Sequence, residues 1–580
     1  MSKIEINLQG CNGNEYILFP ACAYNGNKFK SLKKNYPPMF TTDEASIDMP
    51  VTITDVPRLN PDGSGKIQVT TGDVATPCVG VFMKDSKKAV FVYTVQEIDG
   101  VNLGLAYEAG KITISYPAYR DYVYHWPFMR ENKKEYIDID AEIPYKTIEF
   151  DCESMEQFYN VYFKNRKIMG LDDKRPEILS FEEQFEIQKN KFNSMNWYEN
   201  GQYYDLDTRG QWQPGWCGGA ISTYPLMKLG GKLEYERAVK TLEHLFNNQS
   251  PSGMFYGFND KRNDVFYIPG TENWTLIRKS ADCLYFLFKH FTLMDNVPDK
   301  FIEGTKKLAD LFVKLWKTYG QFGQFIDCET GEIAAGGSTS GAIVPAGLVG
   351  AYKFFGNEEY LEVAKSGAEM MYKRDALNGY TTGGPGEILQ CPDSESAFAL
   401  LESLVVLYDA TKDKKWLEYS EFMAHQCSSW TVSYNYKFPK ESEFNRLDMK
   451  TVGSIFANAQ NKHSAPGICT LSGNSLYKLY KWTGNEMYKE LHDDIALTIS
   501  QYMSTNKRPI YSWDVPKDVI LIQDDTATAE REKLPQGFIC ERVNMSDWET
   551  YRCIGGVFNG SCWCETSNLL TIAEYEKEDL

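Results

Sequence analysis

The length, composition and charge of this chain point to a folded protein of more than one domain. Its 580 residues exceed one ordinary domain, and 43% apolar with 24% charged residues argue against a disordered or fibrous chain. The net charge of -18, without a dense run of Lys and Arg, argues against a nucleic-acid partner, because phosphate backbones are bound by clustered basic residues.

The hydropathy pattern argues against a membrane protein. No apolar stretch approaches the roughly 20 residues that a bilayer crossing needs, and Met1 is not followed by a signal-type apolar block. We therefore expect no membrane partner and a cytoplasmic location. The 14 cysteines have no framework spacing, which indicates reduced thiols.

Short β-rich runs, separated by turn signals such as Asn25-Gly26 and Asp99-Gly100, fill the first 150 residues. This pattern predicts a β-sandwich. The predicted strands span 16–23, 46–54, 66–71, 89–95, 111–116 and 136–143.

Helical periodicity replaces the β pattern after about residue 152. One phrase recurs, in which a helix ends, the chain turns at Gly or Asp, and the next helix starts on an aromatic-aliphatic pair. The phrase begins at Lys228, Lys353, Asp409 and Lys481.

This phrase divides the remaining chain into six pairs of predicted helices. The first helix of each pair has a polar face, near 181–198, 234–247, 299–318, 358–373, 414–430 and 486–503. The second is more apolar, near 217–229, 279–293, 339–355, 394–410, 470–482 and 565–576. Because polar-faced helices belong outside and helices apolar all round belong inside, six such pairs predict a closed ring. An open helical solenoid is the alternative.

A β-rich domain followed by six helical hairpins, with a Tyr/Trp-Leu-Glu phrase after the inner helices, resembles the six-hairpin glycosidase superfamily. The resemblance covers nearly the whole chain. It implies a multi-domain α and β fold, with an N-terminal β-sandwich over 1–150, a linker helix over 151–175 and a catalytic six-hairpin α/α toroid (α/α barrel) over 176–580. It says little about the reaction, because hydrolases, phosphorylases, lyases and sugar epimerases share this toroid.

The functional residues are expected at one face of this ring. Short turns join each inner helix to the next outer one, so the long loops and the N-termini of the inner helices lie together on the opposite face. We call this face the mouth.

The first long loop of the mouth offers Asp205, Arg209, Trp212 and Trp216. Aromatic rings beside carboxylate and amide groups suit a sugar, whose C–H faces stack on rings while its hydroxyls form hydrogen bonds. Asp205 is therefore a candidate catalytic carboxylate, and the Arg and Trp residues are candidates for substrate binding. Alternatively, the Trp residues pack the ring and the Asp residues cap or turn.

The second loop contributes Glu272, Trp274 and Arg278. Arg278 can hold the carboxylate of a uronic acid in a bidentate pair, or it can neutralise Glu272 as a structural pair. Trp274 is a candidate for substrate binding, and Glu272 is a candidate catalytic carboxylate.

The fourth inner helix supplies the preferred catalytic group. Glu395 falls in the first turn of a helix otherwise too apolar to be exposed, so its carboxylate is expected to point into the mouth. Asp393 stands at the N-cap position, where capping is the alternative to a catalytic role. Glu387, in the preceding glycine loop, is a further candidate for the catalytic carboxylate.

The fifth and sixth loops add Asn461, His463 and Glu565 as candidates for substrate binding. The sugar 2-epimerases of the superfamily are thought to use a pair of histidines on inner helices, and that pair is not evident here. The sixth loop, 504–563, is long enough for a lid or a pocket wall.

These residues predict an exo-acting glycoside hydrolase that cleaves an oligosaccharide. Oligosaccharides that contain a uronic acid are among the candidate substrates. Glu395 or Asp393 would be one of two carboxylates at the scissile bond, and Glu272 or Asp205 the other. A lyase that uses Tyr204 or His463 with Asn461 is the first alternative, and a non-catalytic carbohydrate-binding scaffold is the second.

No cofactor or metal is expected, because no GxGxxG after a strand, P-loop or HExxH motif occurs. Cysteines at the starts of inner helices leave a zinc site as a minor alternative. They are Cys217, Cys391, Cys469, Cys562 and Cys564. The sequence does not determine the oligomeric state, and a homo-oligomer is one of the alternatives.

Overall fold

The structure is a computed structural model. It describes residues 1–34, 38–54, 56–125, 129–132, 138–176, 178–199, 201–204, 214–215, 218–257, 268–512, 532–548, 553–557 and 562–576, with the side chains of 123–125, 129–132 and 387 excepted.

Nineteen strands occur in the described part of the chain, most of them before residue 152. They are β1 (Ser2–Asn7), β2 (Tyr16–Leu18), β3 (Lys30–Ser31), β4 (Thr52–Ile53), β5 (Lys66–Thr70), β6 (Cys78–Met83), β7 (Lys88–Thr94), β8 (Glu97–Ile98), β9 (Val101–Asn102), β10 (Gly104–Glu108), β11 (Lys111–Tyr116), β12 (Tyr122–His125), β13 (Met129–Asn132), β14 (Tyr145–Asp151), β15 (Trp274–Leu276), β16 (Phe325–Asp327), β17 (Ile333–Ala335), β18 (Ile455–Phe456) and β19 (Ser464–Ala465).

Two four-stranded antiparallel sheets organise the N-terminal region, with strand orders β1-β11-β10-β5 and β14-β7-β6-β2. Both sheets contribute to one hydrophobic cluster, to which Val69 and Ile114 come from the first sheet and Val81 and Val92 from the second. The two sheets therefore share one buried apolar layer.

The strand predictions differ in quality. Strands β2, β4, β5, β7 and β11 fall in predicted runs, whereas β1, β6 and β10 were not predicted. The strand predicted over 136–143 is wrong for its described part, residues 138–143, and the strand lies at β14 instead. Pairing with β7, which places Tyr145 opposite Thr94, decides this position, and local alternation cannot reveal such a partner.

Fourteen helices occur in the described part of the chain. They are α1 (Met155–Asn165), α2 (Phe181–Met195), α3 (Thr223–Leu229), α4 (Lys232–Asn247), α5 (Ile277–Phe291), α6 (Asp299–Tyr319), α7 (Val344–Phe355), α8 (Glu358–Arg374), α9 (Ser394–Thr411), α10 (Lys414–Ser428), α11 (Glu443–Arg446), α12 (Asn474–Thr483), α13 (Glu486–Thr498) and α14 (Trp563–Glu574). All twelve helices predicted after residue 176 are present.

Helices α3, α5, α7, α9, α12 and α14 form an inner ring. Each of the first four packs against the next, and α14 packs on both α3 and the outer helix α2. The junction of α12 with α14 is joined by hydrogen bonds, from Ser472 to the Glu574 carboxylate (2.5 Å) and from Ser567 to the backbone carbonyl of Ile468 (2.5 Å). The ring of inner helices therefore closes on itself.

Helices α2, α4, α6, α8, α10 and α13 lie outside this ring, and the recurring phrase explains how they are held. Gly356 and Gly484 end inner helices in the left-handed conformation, with φ of 69° and 70°. The aromatic residue of the phrase is then buried as the next helix begins, as with Tyr360, Trp416 and Tyr488. Each hairpin is thereby packed back onto its neighbour.

Aromatic contacts fasten the N-terminal sheets to the ring. On α1, Phe158 stacks on Phe91 of β7, with ring centroids 4.6 Å apart. Tyr24 stacks on Trp430 at the end of α10 (4.2 Å), and its hydroxyl forms a 2.8 Å hydrogen bond with Ser429. Among the described helices, none combines the length and apolar character that crossing a bilayer requires.

Candidate active site

The loops before α9 and α12 are joined side by side at the mouth. Asp393 and Asn458 pair as an antiparallel bridge. The Ser394 N–H donates to the Ala457 carbonyl (2.9 Å), and the Ala459 N–H donates to that of Pro392 (2.9 Å). This pairing places the start of α9, with its acidic residues, against the polar loop 458–463.

Glu395 is held there by Arg278 from the first turn of α5. The two side chains form an ion pair through Nη1 of Arg278 and Oε2 of Glu395, with the Arg278 side chain 4% and the Glu395 side chain 13% exposed. The Arg278 Nη2 donates to Thr470 Oγ1 (2.7 Å), and Nε lies 3.4 Å from Oδ2 of Asp282. Of the two predicted roles for Arg278, pairing with a protein carboxylate is the one seen, and the partners are Glu395 and Asp282 instead of Glu272.

Asp282 is a member of this cluster that the sequence reasoning missed. It lies one helical turn after Arg278, and burial raises the pKa of its carboxyl to about 7 against the opposing effect of Arg278. An acidic residue four positions after an arginine in an otherwise apolar inner helix was the signal that could have revealed it.

Asp393 caps α9, as the alternative reading of the sequence had it. Its Oδ1 accepts from the Ser396 N–H (2.6 Å), and its Oδ2 accepts from the Gly384 N–H (3.1 Å). Burial nevertheless raises the pKa of the carboxyl to about 6, because two backbone donors and Arg278 only partly offset desolvation. With both oxygens engaged, Asp393 is suited to fixing the start of α9 and the loop before it.

The loop before α12 contributes buried polar side chains. Asn458 Oδ1 accepts from the backbone N–H of Asn461 (2.7 Å), while the buried atoms Asn458 Nδ2 and Asn461 Oδ1 have no hydrogen-bond partner among the described residues. His463 is 6% exposed, and burial followed by the charge of Arg542 lowers the pKa of its imidazole well below the ordinary value. His463 is therefore a neutral imidazole at ordinary pH.

The surroundings of Glu272 and Trp274 differ from those expected for residues that contact a substrate. Glu272 is exposed in a turn, where its carboxylate accepts from the Gly270 N–H (3.0 Å). Trp274 is 8% exposed and packs in a hydrophobic cluster with Phe40, Met49 and Phe325, which favours a packing role for its ring.

Glu565 mirrors Glu395 in position but is enclosed. Its Oε2 lies 2.5 Å from Nζ of Lys191 on α2, and both side chains are 1% exposed. Tyr204 is half-buried, and its ring centroid lies 4.0 Å from that of Tyr198. Burial raises the pKa of the Tyr204 hydroxyl. Glu565 is thus suited to holding the ring closed more than to touching a ligand.

Four predicted site residues lie outside the described residues, and their roles stay predictions. They are Asp205, Arg209, Trp212 and Trp216.

A segment that we call the strap, residues 38–54, lies across the loops of the mouth. The Gly336 N–H donates to the Ser46 carbonyl (3.0 Å), and Gln321 Nε2 donates to that of Ile47 (3.1 Å). At its end, the Thr54 hydroxyl donates to Gln460 Oε1 (2.5 Å) in the loop before α12. The strap therefore contacts the loops that precede α7 and α12, and the cluster around Trp274 joins it to the loop before α5.

Within the described ranges, no three His, Cys, Asp or Glu side chains come together in a way that could hold a metal ion. Burial raises the pKa of the Cys391 and Cys564 thiols, which disfavours the thiolate that zinc needs.

No protein-family model matches the sequence, and neither does any curated protein. Several solved structures are similar in fold. A D-mannose isomerase is 10% identical, with 68% of this chain and 96% of that chain covered and a TM-score of 0.45. A sugar epimerase from a ruminal bacterium is 12% identical, covering 68% and 98%, with a TM-score of 0.45. A family 76 glycoside hydrolase from a bovine Bacteroides thetaiotaomicron strain is 11% identical, covering 84% and 97%, with a TM-score of 0.42.

The identities lie between 10% and 12%, and the TM-scores are below 0.5. Identities this low say nothing of the activity, which has to come from the geometry of the site.

Proposed function

We propose that the protein is a carbohydrate-active enzyme, and within that class an exo-acting glycoside hydrolase whose site lies at the mouth of the helical ring. The observation that carries the proposal is the placement of Glu395, a partly accessible carboxylate at the start of an apolar inner helix, held by Arg278. A carboxylate in a fixed orientation with limited access to solvent is what acid–base or nucleophilic attack on a glycosidic bond requires.

A second carboxylate is needed for this reaction. Asp282 is too deeply buried to touch a sugar, Asp393 is engaged as a cap, and Glu272 stands in an exposed turn. We therefore propose Asp205 of the first loop as the partner of Glu395. The separation of the two carboxyl groups would then decide between inversion and retention of configuration.

The exo mode is supported by the strap. A segment anchored to several loops of the mouth narrows the space along which a long polysaccharide could pass, which favours a pocket that accepts a chain end. The buried polar atoms of Asn458 and Asn461 suit the hydroxyls of a sugar, since hydroxyls both donate and accept.

A lyase is the second candidate, and His463 is the observation that favours it. A neutral imidazole can accept the proton next to a uronate carboxyl, and Arg542 beside it carries the charge that would neutralise that carboxylate.

The test is a screen of the purified protein on aryl glycosides, oligosaccharides and uronate oligosaccharides. Reducing ends and near-ultraviolet absorbance are followed together, because a lyase leaves an unsaturated product that absorbs and a hydrolase does not. Reducing ends alone, lost in Glu395→Gln, support hydrolysis, and absorbance that rises in step supports the lyase. Sugar binding without turnover would leave the carbohydrate-binding scaffold.

We propose domains at 1–150, 151–175 and 176–580, and a β-sandwich in the first, which the shared hydrophobic layer of the two sheets supports. A cytoplasmic location, an oligosaccharide as the partner, and the absence of nucleic-acid and membrane partners are likewise proposals.

A further inference from the structure

Arg278 is fixed from three sides, only one of which the proposed reaction uses. Its Nη1 contacts Glu395, its Nη2 donates to Thr470 (2.7 Å), and its Nε lies 3.4 Å from Asp282. A guanidinium is planar and its donors form a rigid fork, so three contacts hold the whole group in one orientation. The position of the Glu395 carboxylate therefore depends on what lies behind Arg278.

Asp282 lies behind it, away from the substrate side. Its side chain is 1% exposed, against 13% for Glu395. The Thr470 hydroxyl accepts from Arg278 and donates to Oδ1 of Asp282 (3.3 Å), while Oδ2 of Asp282 lies near Nε of Arg278. Asp282 can therefore reach the reacting atoms only through Arg278.

The cluster holds more acid than base. The carboxyls of Asp282, Asp393 and Glu395 face the single positive charge of Arg278, and Thr470 is the neutral member. Burial raises the pKa of Asp282 to about 7 and that of Asp393 to about 6, with Arg278 opposing both shifts. When Asp282 is ionised it shares the charge of Arg278 with Glu395, and when Asp282 is neutral more of that charge acts on Glu395.

We propose that Asp282 is a positioning residue that sets, through Arg278, how firmly Glu395 is held for proton transfer. This inference rests on the proposed function of Glu395. The groups that face Asp282 are Arg278 on its own helix and Thr470 from the loop before α12.

The first test is the pH profile of Asp282→Asn, which keeps the shape of the side chain and removes its proton exchange. We expect kcat to fall about tenfold, less than the loss on removing an acid–base group itself, with KM unchanged and the limb near pH 7 absent. Asp282→Glu should restore part of kcat. Glu402→Gln is the matched control, because Glu402 is a buried inner-helix carboxylate held by Tyr285 and Ser475. A profile of Asp282→Asn that equals wild type overturns the proposal.

The second test needs no substrate. Carbodiimide with an added amine labels protonated carboxyl groups, and peptide mass spectrometry follows labelling of Glu395 from pH 4 to pH 8. In Asp282→Ala the guanidinium of Arg278 loses the carboxyl that supports it from behind and is held less firmly against Glu395, so labelling of Glu395 should extend to higher pH. An unmoved profile overturns the inference. If the labelling of Glu395 moves but the protein is inactive on every sugar, the positioning role of Asp282 is upheld and the proposed hydrolysis is contradicted.

Thr470→Val is the second variant should Asp282→Asn fail to fold. It removes the hydroxyl bridge and keeps a similar shape, so kcat should fall with KM unchanged. Wild-type kcat together with wild-type labelling of Glu395 in this variant overturns the proposal.

Discussion

The Nζ atom of Lys191 lies 2.5 Å from Oε2 of Glu565, and both side chains are 1% exposed. Lys191 belongs to the first outer helix and Glu565 to the last inner helix, so this ion pair joins the two ends of the helical ring. Asn568 Nδ2 donates to Gln188 Oε1 (3.0 Å) in the same interface. Closure of the ring is thus fixed by buried polar contacts, and breaking them should affect the whole ring.

Lys191→Met is expected to destabilise the protein by about 3–5 kcal/mol, because it removes a buried cation that lies 2.5 Å from the Glu565 carboxylate. The free energy of unfolding in urea measures this. The control is Lys189→Ala, which removes an ion pair with the exposed Glu186 and should cost under about 1 kcal/mol. The double variant Lys191→Met with Glu565→Gln should recover part of the loss, and equal losses in the Lys191 and Lys189 variants would contradict a role in closure.

Glu395→Gln is expected to lower kcat by about 100-fold or more on any sugar that the protein turns over, since the amide neither takes nor gives a proton. Steady-state kinetics measures the loss, and circular dichroism confirms that the fold is retained. Glu272→Gln is the matched control, because that carboxylate lies in an exposed turn. Similar losses in both variants would mean that Glu272, and not Asp205, is the partner carboxylate.

Buried neutral histidines should make the protein less stable in acid. Burial lowers the pKa of His290 to about 4 and that of His425 to about 3. The unfolded chain, with an ordinary pKa of about 6.5, binds protons first as pH falls, so this contribution to stability is present above about pH 6.5 and is lost below it. Each residue should cost about 1–2 kcal/mol between pH 6.5 and pH 5.

Asp282 and Asp393 oppose this trend, since their pKa values are raised and their contribution is lost as pH rises towards 7. Urea unfolding of His290→Gln at pH 7.5, 6.5 and 5 isolates the histidine contribution. We expect a flatter pH dependence than in wild type, and an unchanged slope in this variant would contradict the contribution of His290.

Gly337→Ala should loosen the strap. Gly337 has φ of 77°, and a Cβ there would collide with the backbone carbonyl oxygen of Met49. Gly356→Ala is the matched control, because Gly356 also has positive φ (69°) but no atom within 4 Å of its would-be Cβ, so it should cost only about 1 kcal/mol of backbone strain.

The measurement for this pair is thermal stability together with the length of the oligosaccharides cleaved. A larger loss of stability in Gly337→Ala, with activity spreading to longer chains, is the expected outcome. Identical behaviour of the two variants would show that the strap does not limit the length of the oligosaccharides that enter the mouth.

The twelve helices of the ring could be predicted from the sequence by itself, because helical periodicity and the Gly-to-aromatic phrase are local signals. The same holds for Glu395 as an acidic residue in an apolar helix and for Asp393 as a cap. The continuous apolar strand β6 and the position of β14 could not be predicted from the sequence, since a strand is defined by the strand that it pairs with.

Only the tertiary structure decided which charges meet. Arg278 pairs with Glu395 and Asp282, and Lys191 pairs with Glu565 across 374 positions of sequence. The physical reason is that closing a ring brings together helix ends that no local pattern relates, and burial then turns ordinary acidic residues into a coupled cluster around one guanidinium.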